Sequence, residues 1–301
     1  TVSNLDDLRL FTVLQSLTLQ SVSGMDFTIL NQLPALEELD LSGCTISSNA
    51  LEAIGSLSEL KKLTLDGCAL TDITAFSQLL KLKELDLSNN SLTDIGVISL
   101  MLELEHIELA NNPLTSIAAL STCTNLKTVD ITGCSVVSLG SLGGKSSLET
   151  LLASNNQIRK IDDLEDCRNL KTLELNSNLI EDISVLASLP SLVRFEADQN
   201  EITEVPDFDE HNCQLVYFGI DYNQVEDVSG LESIDSLNYV NIDYNKVKDL
   251  TPLAENINLV QINAWDNAIT EESLEALEEH SIILNYNPNY EDPDAEEEKE
   301  S

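Results

Sequence analysis

The sequence predicts an α/β solenoid, a curved stack of short repeats with a parallel β-sheet on its concave face and 3₁₀, irregular or short helical returns on its convex face. Three observations predict it. First, the pattern Leu-x-x-Leu-x-Leu-x-x-Asn recurs as "LEELDLSGC" from Leu36, "LKKLTLDGC" from Leu60, "LKELDLSNN" from Leu82 and "LEHIELANN" from Leu104. It continues as "LKTVDITGC" (Leu126), "LETLLASNN" (Leu148), "LKTLELNSN" (Leu170), "LVRFEADQN" (Leu192), "LVYFGIDYN" (Leu215), "LNYVNIDYN" (Leu237) and "LVQINAWDN" (Leu259). These eleven copies are 22 residues apart except for one interval of 24 and one of 23, and a fixed short period is the mark of a repeat architecture. Second, the chain is rich in Leu, Ile, Asn, Asp and Glu, and only 4% of it is aromatic; such a skew fits a repeating unit rather than a compact globule. Third, the segments between copies place apolar residues at every third position, as in "IEDISVLASLPSL" from Ile180, which fits a tight 3₁₀-like return. The array is of the leucine-rich repeat class.

Each element of one unit follows from its residues. In Leu-x-x-Leu-x-Leu the alternating apolar side chains point inward from a short strand and the residues between them face solvent. The Asn three positions later turns the chain, and its buried amide can satisfy backbone groups in its own and the neighbouring turn. The return "VKDLTPLAENINL" from Val247 reads as 3₁₀ or irregular, whereas "SSNALEAIGSLSEL" from Ser47 and "TEESLEALEEH" from Thr270 read as α-helices. The second of these is capped by Thr270 with acidic residues in its first turn. No unit can bury its own apolar edge, so stacking does it.

Residues 1–290 read as one array of about 12–13 repeats, including a degenerate copy, "LQSLTLQSV", from Leu14 and a partial one near Ile282. Val2, Leu5 and Leu8 already follow the return pattern with no amphipathic cap ahead of them, which predicts a truncated N-terminal end. Residues 291–301, within "EDPDAEEEKES", read as a disordered acidic tail or linker.

A formal net charge of -38 repels phosphate backbones and anionic headgroups, so nucleic acid and membrane surfaces are poor partners. Apolar runs are always interrupted, so no membrane insertion is expected. No metal is expected either: the cysteines lack Cys-x-x-Cys spacing and a Cys/His cluster, and His106, His211 and His280 fall in different repeats at different phases. Cys44, Cys68 and Cys134 occupy the turn position of Asn, while Cys123, Cys167 and Cys213 lie on returns. Packing explains both sets as free thiols, with Cys44 and Cys68 the one pair on adjacent turns. "GSLGGKSS" from Gly140 lacks the first glycine of a phosphate loop and sits on a return, and Asn89 opens a glycosylation sequon by pattern only. No nucleophile, base and oxyanion donor converge, so no enzyme and no cofactor is expected. Nothing in the sequence fixes an oligomeric state.

Because the period fixes the register, outward positions can be read as columns. The central column runs Asp40, Thr64, Asp86, Glu108, Asp130, Leu152, Glu174, Glu196, then Gly219, Asn241 and Asn263. The position after the first Leu runs Glu37, Lys61, Lys83, Glu105, Lys127, Glu149 and Lys171, which can pair laterally as Glu/Lys neighbours, then turns to Val193, Val216, Asn238 and Val260. Where the charges stop, rings begin: all six tyrosines and the one tryptophan lie from Tyr217 onward. Tyr217 and Tyr239 share an outward column, and Tyr222, Tyr244 and Tyr286 are expected along the rim beside the Asn turns. Trp265 continues the column of Asp221 and Asp243. The small or neutral Gly219 and Asn241 are expected to leave a shallow groove between rings and aspartates, with Val216 at its edge. Tyr and Trp give large contact area with few rotors and a polar tip, and clustered exposed rings are costly unless covered. The candidate binding residues are therefore Tyr217, Tyr222, Tyr239, Tyr244, Trp265, Tyr286, Asp221, Asp243, Asn241 and Val216, facing a protein or peptide ligand. Cover by a neighbouring domain or by the tail, and sugars stacked on the rings, are the competing readings of the same patch.

"LTDI…LKLKELDLSNN", "VEDVSGLESIDSLNYVNIDYN" and "LTPLAENINL" resemble the 22-residue repeats of bacterial internalin-like surface proteins, and more loosely those of eukaryotic phosphatase-regulating repeat proteins. The likeness covers residues 14 to 290. It implies a recognition module that binds host or matrix proteins through its concave face, often with aromatic residues, on a secreted or cell-surface protein. The looser likeness implies a cytoplasmic regulatory scaffold.

Overall fold

The computed structural model describes residues 4–208, 213–232 and 234–288, so the acidic tail and His211 lie outside the described residues. Two compact units divide the chain, residues 1–156 and 157–301.

The first unit contains β1 (Ser16–Thr18), β2 (Glu38–Asp40), β3 (Lys62–Thr64), β4 (Glu84–Asp86), β5 (His106–Glu108), β6 (Thr128–Asp130) and β7 (Thr150–Leu152). The second contains β8 (Thr172–Glu174), β9 (Arg194–Glu196), β10 (Tyr217–Gly219), β11 (Tyr239–Asn241), β12 (Gln261–Ala264) and β13 (Ile283–Tyr286). Within each unit the strands pair in chain order and in parallel, each residue facing its counterpart one repeat away, as Leu85 faces Ile107 and Phe218 faces Val240. A column of strictly inward residues results. Leu39, Leu63, Leu85, Ile107, Val129 and Leu151 are buried in the first unit, as are Leu173, Phe195, Phe218, Val240 and Ile262 in the second. This is the leucine-rich repeat solenoid that the pattern predicts.

The turn asparagines knit neighbouring repeats. Asn112 donates through Nδ2 to the carbonyls of Leu109 and of Leu87 in the preceding repeat, both at 2.9 Å, and its Oδ1 accepts the Leu92 N–H at 3.0 Å. Asn223 repeats the arrangement with Ile220, Ala197 and Ile202. A buried amide that satisfies three main-chain groups is costly to remove, since each orphaned group loses its solvation as well as its partner. Where cysteine takes this position the bonding thins: Cys134 offers one S–H to the Leu109 carbonyl at 3.4 Å. All six cysteines are free thiols, and burial pushes the Cys68 thiol up to about 11.

The returns are mostly short 3₁₀ turns, such as Thr74–Gln78 and Ser184–Ser188. Helix α1 (Ser48–Gly55) starts where the Ser47 hydroxyl accepts the Ala50 N–H. It packs so close to the next return that a Cβ on Gly55 would lie 2.1 Å from the Ala75 carbonyl oxygen. The return from Val247, expected as 3₁₀ or irregular, instead closes one α-turn, α2 (Thr251–Ala254), with a proline in its first turn that pre-sets helical φ. Helix α3 (Glu271–Glu279) is capped by Thr270, whose hydroxyl accepts the Ser273 N–H, with Glu271 and Glu272 in its first turn.

Candidate functional site

On the solvent side of the first unit the strand register brings opposite charges together. Lys61 pairs with Glu37 at 2.7 Å, Lys62 with Glu84 at 2.6 Å, and Glu105 receives both Lys83 at 3.0 Å and Lys127 at 2.6 Å. The two lysine hydrogen bonds hold the Glu105 carboxyl down at about 2. The central acids Asp86, Glu108 and Asp130 lie in register beside them, and burial followed by the fields of Asp86 and Asp130 raises Glu108.

In the second unit the row that holds Glu38, Lys62, Glu84 and His106 in the first carries Arg194, Tyr217, Tyr239 and Gln261, aligned across β9 to β12. The rings of Tyr217 and Tyr239 stack, with centroids 5.1 Å apart and planes 5° from parallel. The Arg194 guanidinium closes the stack from β9, 4.1 Å from the Tyr217 centroid, while it pairs with Glu196 and, at 3.7 Å, with Glu174. At the other end the Tyr239 hydroxyl accepts from Asn263 Nδ2 at 2.6 Å and from Gln261 Nε2 at 3.2 Å. Burial, and then the Glu196 carboxylate, push the Tyr217 hydroxyl up to about 12.

One expectation fails here. No open groove separates the rings from the aspartates at Gly219, because the Tyr217 ring leans over it; a Cβ there would sit 3.0 Å from Tyr217 Cε1. The glycine makes room for the ring rather than for a ligand. Asn241 is occupied as well, donating to Asp221 Oδ2 at 2.5 Å, and its buried Oδ1 has no hydrogen-bond partner.

Beyond the strand ends runs a ladder of aspartates. Asp198 Oδ1 accepts the Asp221 N–H, Asp221 Oδ1 accepts the Asp243 N–H, both at 2.9 Å, and Asp243 Oδ1 accepts the Trp265 N–H at 2.5 Å. Partial burial, then the Asp198 and Asp243 carboxylates, push Asp221 up to about 7; burial raises Asp198 and Asp243 too.

The rim holds a second ring stack, Tyr222 on Tyr244, with centroids 4.1 Å apart and planes 8° from parallel. Tyr222 is 50% exposed, Tyr244 38% and Trp265 44%. Both tyrosines sit at the left-handed turn position, with φ of 54° and 55°. Elsewhere this position holds Gly43, Gly67, Asn89, Asn111, Gly133 and Asn155, residue types that tolerate positive φ, and also Ser21, Ser177, Gln199 and Asp266; a bulky ring there costs about 1 kcal/mol. The repeat imposes this turn on whatever residue stands there, so what sets Tyr222 and Tyr244 apart is the exposed ring and not the backbone. Tyr286 does not join this rim. It pairs with Ala264, in the inward column of Ile220 and Ile242, because the last repeat lacks the full pattern and its register runs two residues from where "NYN" would place it. Val216 lies exposed in one row with Val193 and Val260.

The structure thus brings Tyr217, Tyr239, Tyr222, Tyr244, Trp265, Asp221, Asp243 and Asn241 onto neighbouring repeats and leaves Tyr286 aside. Arg194 and Asp198 belong to the same surface. Arg194 carried a sequence signal, as the residue in register with Tyr217 one repeat earlier. Among the described residues no group of three or more His, Cys, Asp or Glu is arranged to hold a metal ion, and no helix is long and apolar enough to cross a membrane.

The family described as "Leucine Rich repeats (2 copies)" matches residues 58–99, 103–143 and 146–188, and "Leucine Rich repeat" matches 32–55. The chain is a leucine-rich repeat protein. Its fold is internalin-like: an internalin (inlF) from Listeria monocytogenes superposes with a TM-score of 0.69 at 24% identity, over 86% of this chain and 84% of that one. A leucine-rich repeat protein of Leptospira interrogans superposes with a TM-score of 0.70 at 21% identity, over 88% and 75%. The ectodomain of the plant membrane receptor kinase GASSHO1/SCHENGEN3 from Arabidopsis thaliana, in complex with Casparian strip integrity factor 2, gives 0.77 at 23% identity, over 92% of this chain and 36% of that one. At these identities the likeness carries the fold alone. Among curated proteins no sequence matches.

Proposed function

We propose that this leucine-rich repeat protein is a non-enzymatic binding module of a bacterial secreted or cell-surface protein, and that it captures a protein or peptide on the ring-bearing surface between Val193 and Asp266. One observation carries the reading: Tyr222 and Tyr244 are large rings, stacked and half-exposed, at a turn position that glycine, asparagine or serine fills in most other repeats. Stacking of the two rings about offsets the cost of the turn, and their exposed faces are costly to leave uncovered, so the arrangement favours a partner that covers them. Trp265 and the Tyr217–Tyr239 stack extend the surface with further rigid, amphipathic area of the kind enriched at binding hot spots. The internalin-like fold supports surface display, and the plant ectodomain of the same fold was solved with a bound factor.

The test is selection of a displayed random-peptide library on the immobilised chain, followed by titration of the selected peptides against the double variant Tyr222→Asn, Tyr244→Asn. Asparagine suits the left-handed turn, so the variant keeps the fold. A loss of at least tenfold in affinity is expected. Selected peptides that bind the variant as tightly as the parent would overturn the assignment.

A further inference from the structure

The molecule's own Arg194 shows what the ring-bearing surface accommodates. Its guanidinium lies over the ring of Tyr217, 4.1 Å from the centroid, and is neutralised by two glutamates, Glu174 and Glu196. The rim repeats those ingredients one step outward and lacks the cation. The stacked rings of Tyr222 and Tyr244 stand next to Asp221 and Asp243 in sequence, with Trp265 beside them. Among the described residues no lysine or arginine forms an ion pair with Asp221, Asp243 or Asp266. We infer that this rim takes arginine side chains from a basic segment of the partner, the guanidinium stacking on the tyrosine or tryptophan rings and pairing with the Asp221 and Asp243 carboxylates. The inference rests on the binding role proposed above and names the chemistry of its partner.

Arginine fits better than lysine for two reasons. Its planar guanidinium stacks on a ring face and at the same time presents forked N–H donors to carboxylates, whereas an ammonium offers a strongly hydrated point charge. A chain with a net charge of -38 also steers basic segments toward it and repels acidic ones.

The groups around Asp221 add a signature. Asp198 faces it from the turn after β9 and Asp243 from the turn after β11, Asn241 donates to it, and the field of Arg194 acts on Asp198. With its carboxyl pushed up to about 7 by burial and these neighbours, Asp221 is substantially protonated in mildly acidic solution. An arriving guanidinium favours the ionised form. Complex formation therefore releases up to one proton below pH 7, and affinity rises with pH by at most about tenfold per unit until it levels off above 7.

The experiment uses a twelve-residue Gly/Ser peptide carrying three arginines, its lysine counterpart and its citrulline counterpart. Each is titrated into the full chain while the emission of Trp265, the only tryptophan, is followed. The arginine peptide is expected to bind severalfold more tightly than the lysine peptide, and the citrulline peptide not measurably. Asp221→Asn with Asp243→Asn should weaken the arginine peptide at least tenfold. The charge-matched pair Asp86→Asn with Asp130→Asn should change it less than twofold. Equal weakening by both pairs would reduce the effect to general attraction by an acidic protein and overturn the inference, as would binding of the citrulline peptide at equal strength. Calorimetry of the parent chain at pH 6, in buffers of different ionisation enthalpy, should show proton release; none would also overturn it. If library-selected peptides are lost in Tyr222→Asn, Tyr244→Asn yet bind the Asp221→Asn, Asp243→Asn variant unchanged, the binding role stands and the arginine chemistry falls.

Discussion

The outward face between Glu37 and Lys127 and the outward face between Arg194 and Gln261 are built on the same short strands, the same inward column and the same turn. In the first, glutamates and lysines neutralise each other from repeat to repeat. In the second, Val193, Val216, Asn238 and Val260 take the place of those charges, stacked rings fill the row beside them, and the adjoining aspartates bond to main-chain N–H groups rather than to cations. The difference shows that the repeat leaves these positions free: packing demands only the inward residues and the turn, so the exposed columns can carry either a self-satisfied, solvated surface or one held ready for something else.

The comparison can be broken first at what both regions share. Asn112→Ala and Asn223→Ala should each cost about 2–4 kcal/mol in chemical denaturation, because each orphans three buried main-chain groups. A large difference between them would mean that the frames differ as well as the faces. The pH dependences should have opposite signs. Asp221, raised to about 7, is destabilised by ionisation in the fold; its penalty is complete above pH 7 and is relieved as pH falls toward the unfolded value near 4. Asp221→Asn should thus stabilise the chain at pH 8 by on the order of 1 kcal/mol, once partial exposure is allowed for, and by nothing at pH 4. Glu105, lowered to about 2, contributes stability above the unfolded value near 4.5 and loses it as pH falls toward 2. Thermal melts of Asp221→Asn and Glu105→Gln across pH 3–8 would read both slopes.

Smaller effects sharpen the contrast. Tyr222→Asn and Tyr244→Asn each exchange ring stacking for a relaxed turn, two contributions of about 1 kcal/mol with opposite sign. Their melting temperatures should stay within a degree or two of the parent while binding is lost. Smallest of all, Lys127→Met should cost a few tenths of a kcal/mol, and that cost should vanish in 0.5 M salt, since the pair is exposed.

Much of this was legible in the sequence. The 22-residue period gave the strands, the inward columns and the lateral pairing of Glu37, Lys61, Lys83 and Glu105, and the departures of two returns from it gave helices α1 and α3, the latter with its Thr270 cap. It also placed Tyr217 beside Tyr239 and Tyr222 beside Tyr244. What escaped depended on side-chain direction or on a lapse of the pattern. Gly219 read as open space because composition cannot show that a neighbouring ring bends over it. Tyr286 read as a rim residue because "IILNYN" lacks the leucines that fix register, and a two-residue slip changes the column without changing the alternation of faces. Arg194 went unremarked, since its partners are a ring and two acids in other columns or repeats. The one-turn helix α2 arose from a proline whose effect is conformational rather than periodic.

The asparagine bridges have a mechanical consequence. Because each amide grips two successive repeats, a pull applied to the chain ends cannot peel away a single hydrogen bond at a time; it must detach a whole repeat before the next is loaded. Force–extension traces should therefore show a sawtooth whose steps each release about 22 residues, roughly 70–80 Å of contour, with weaker teeth where Cys44, Cys68 and Cys134 stand in for the amide.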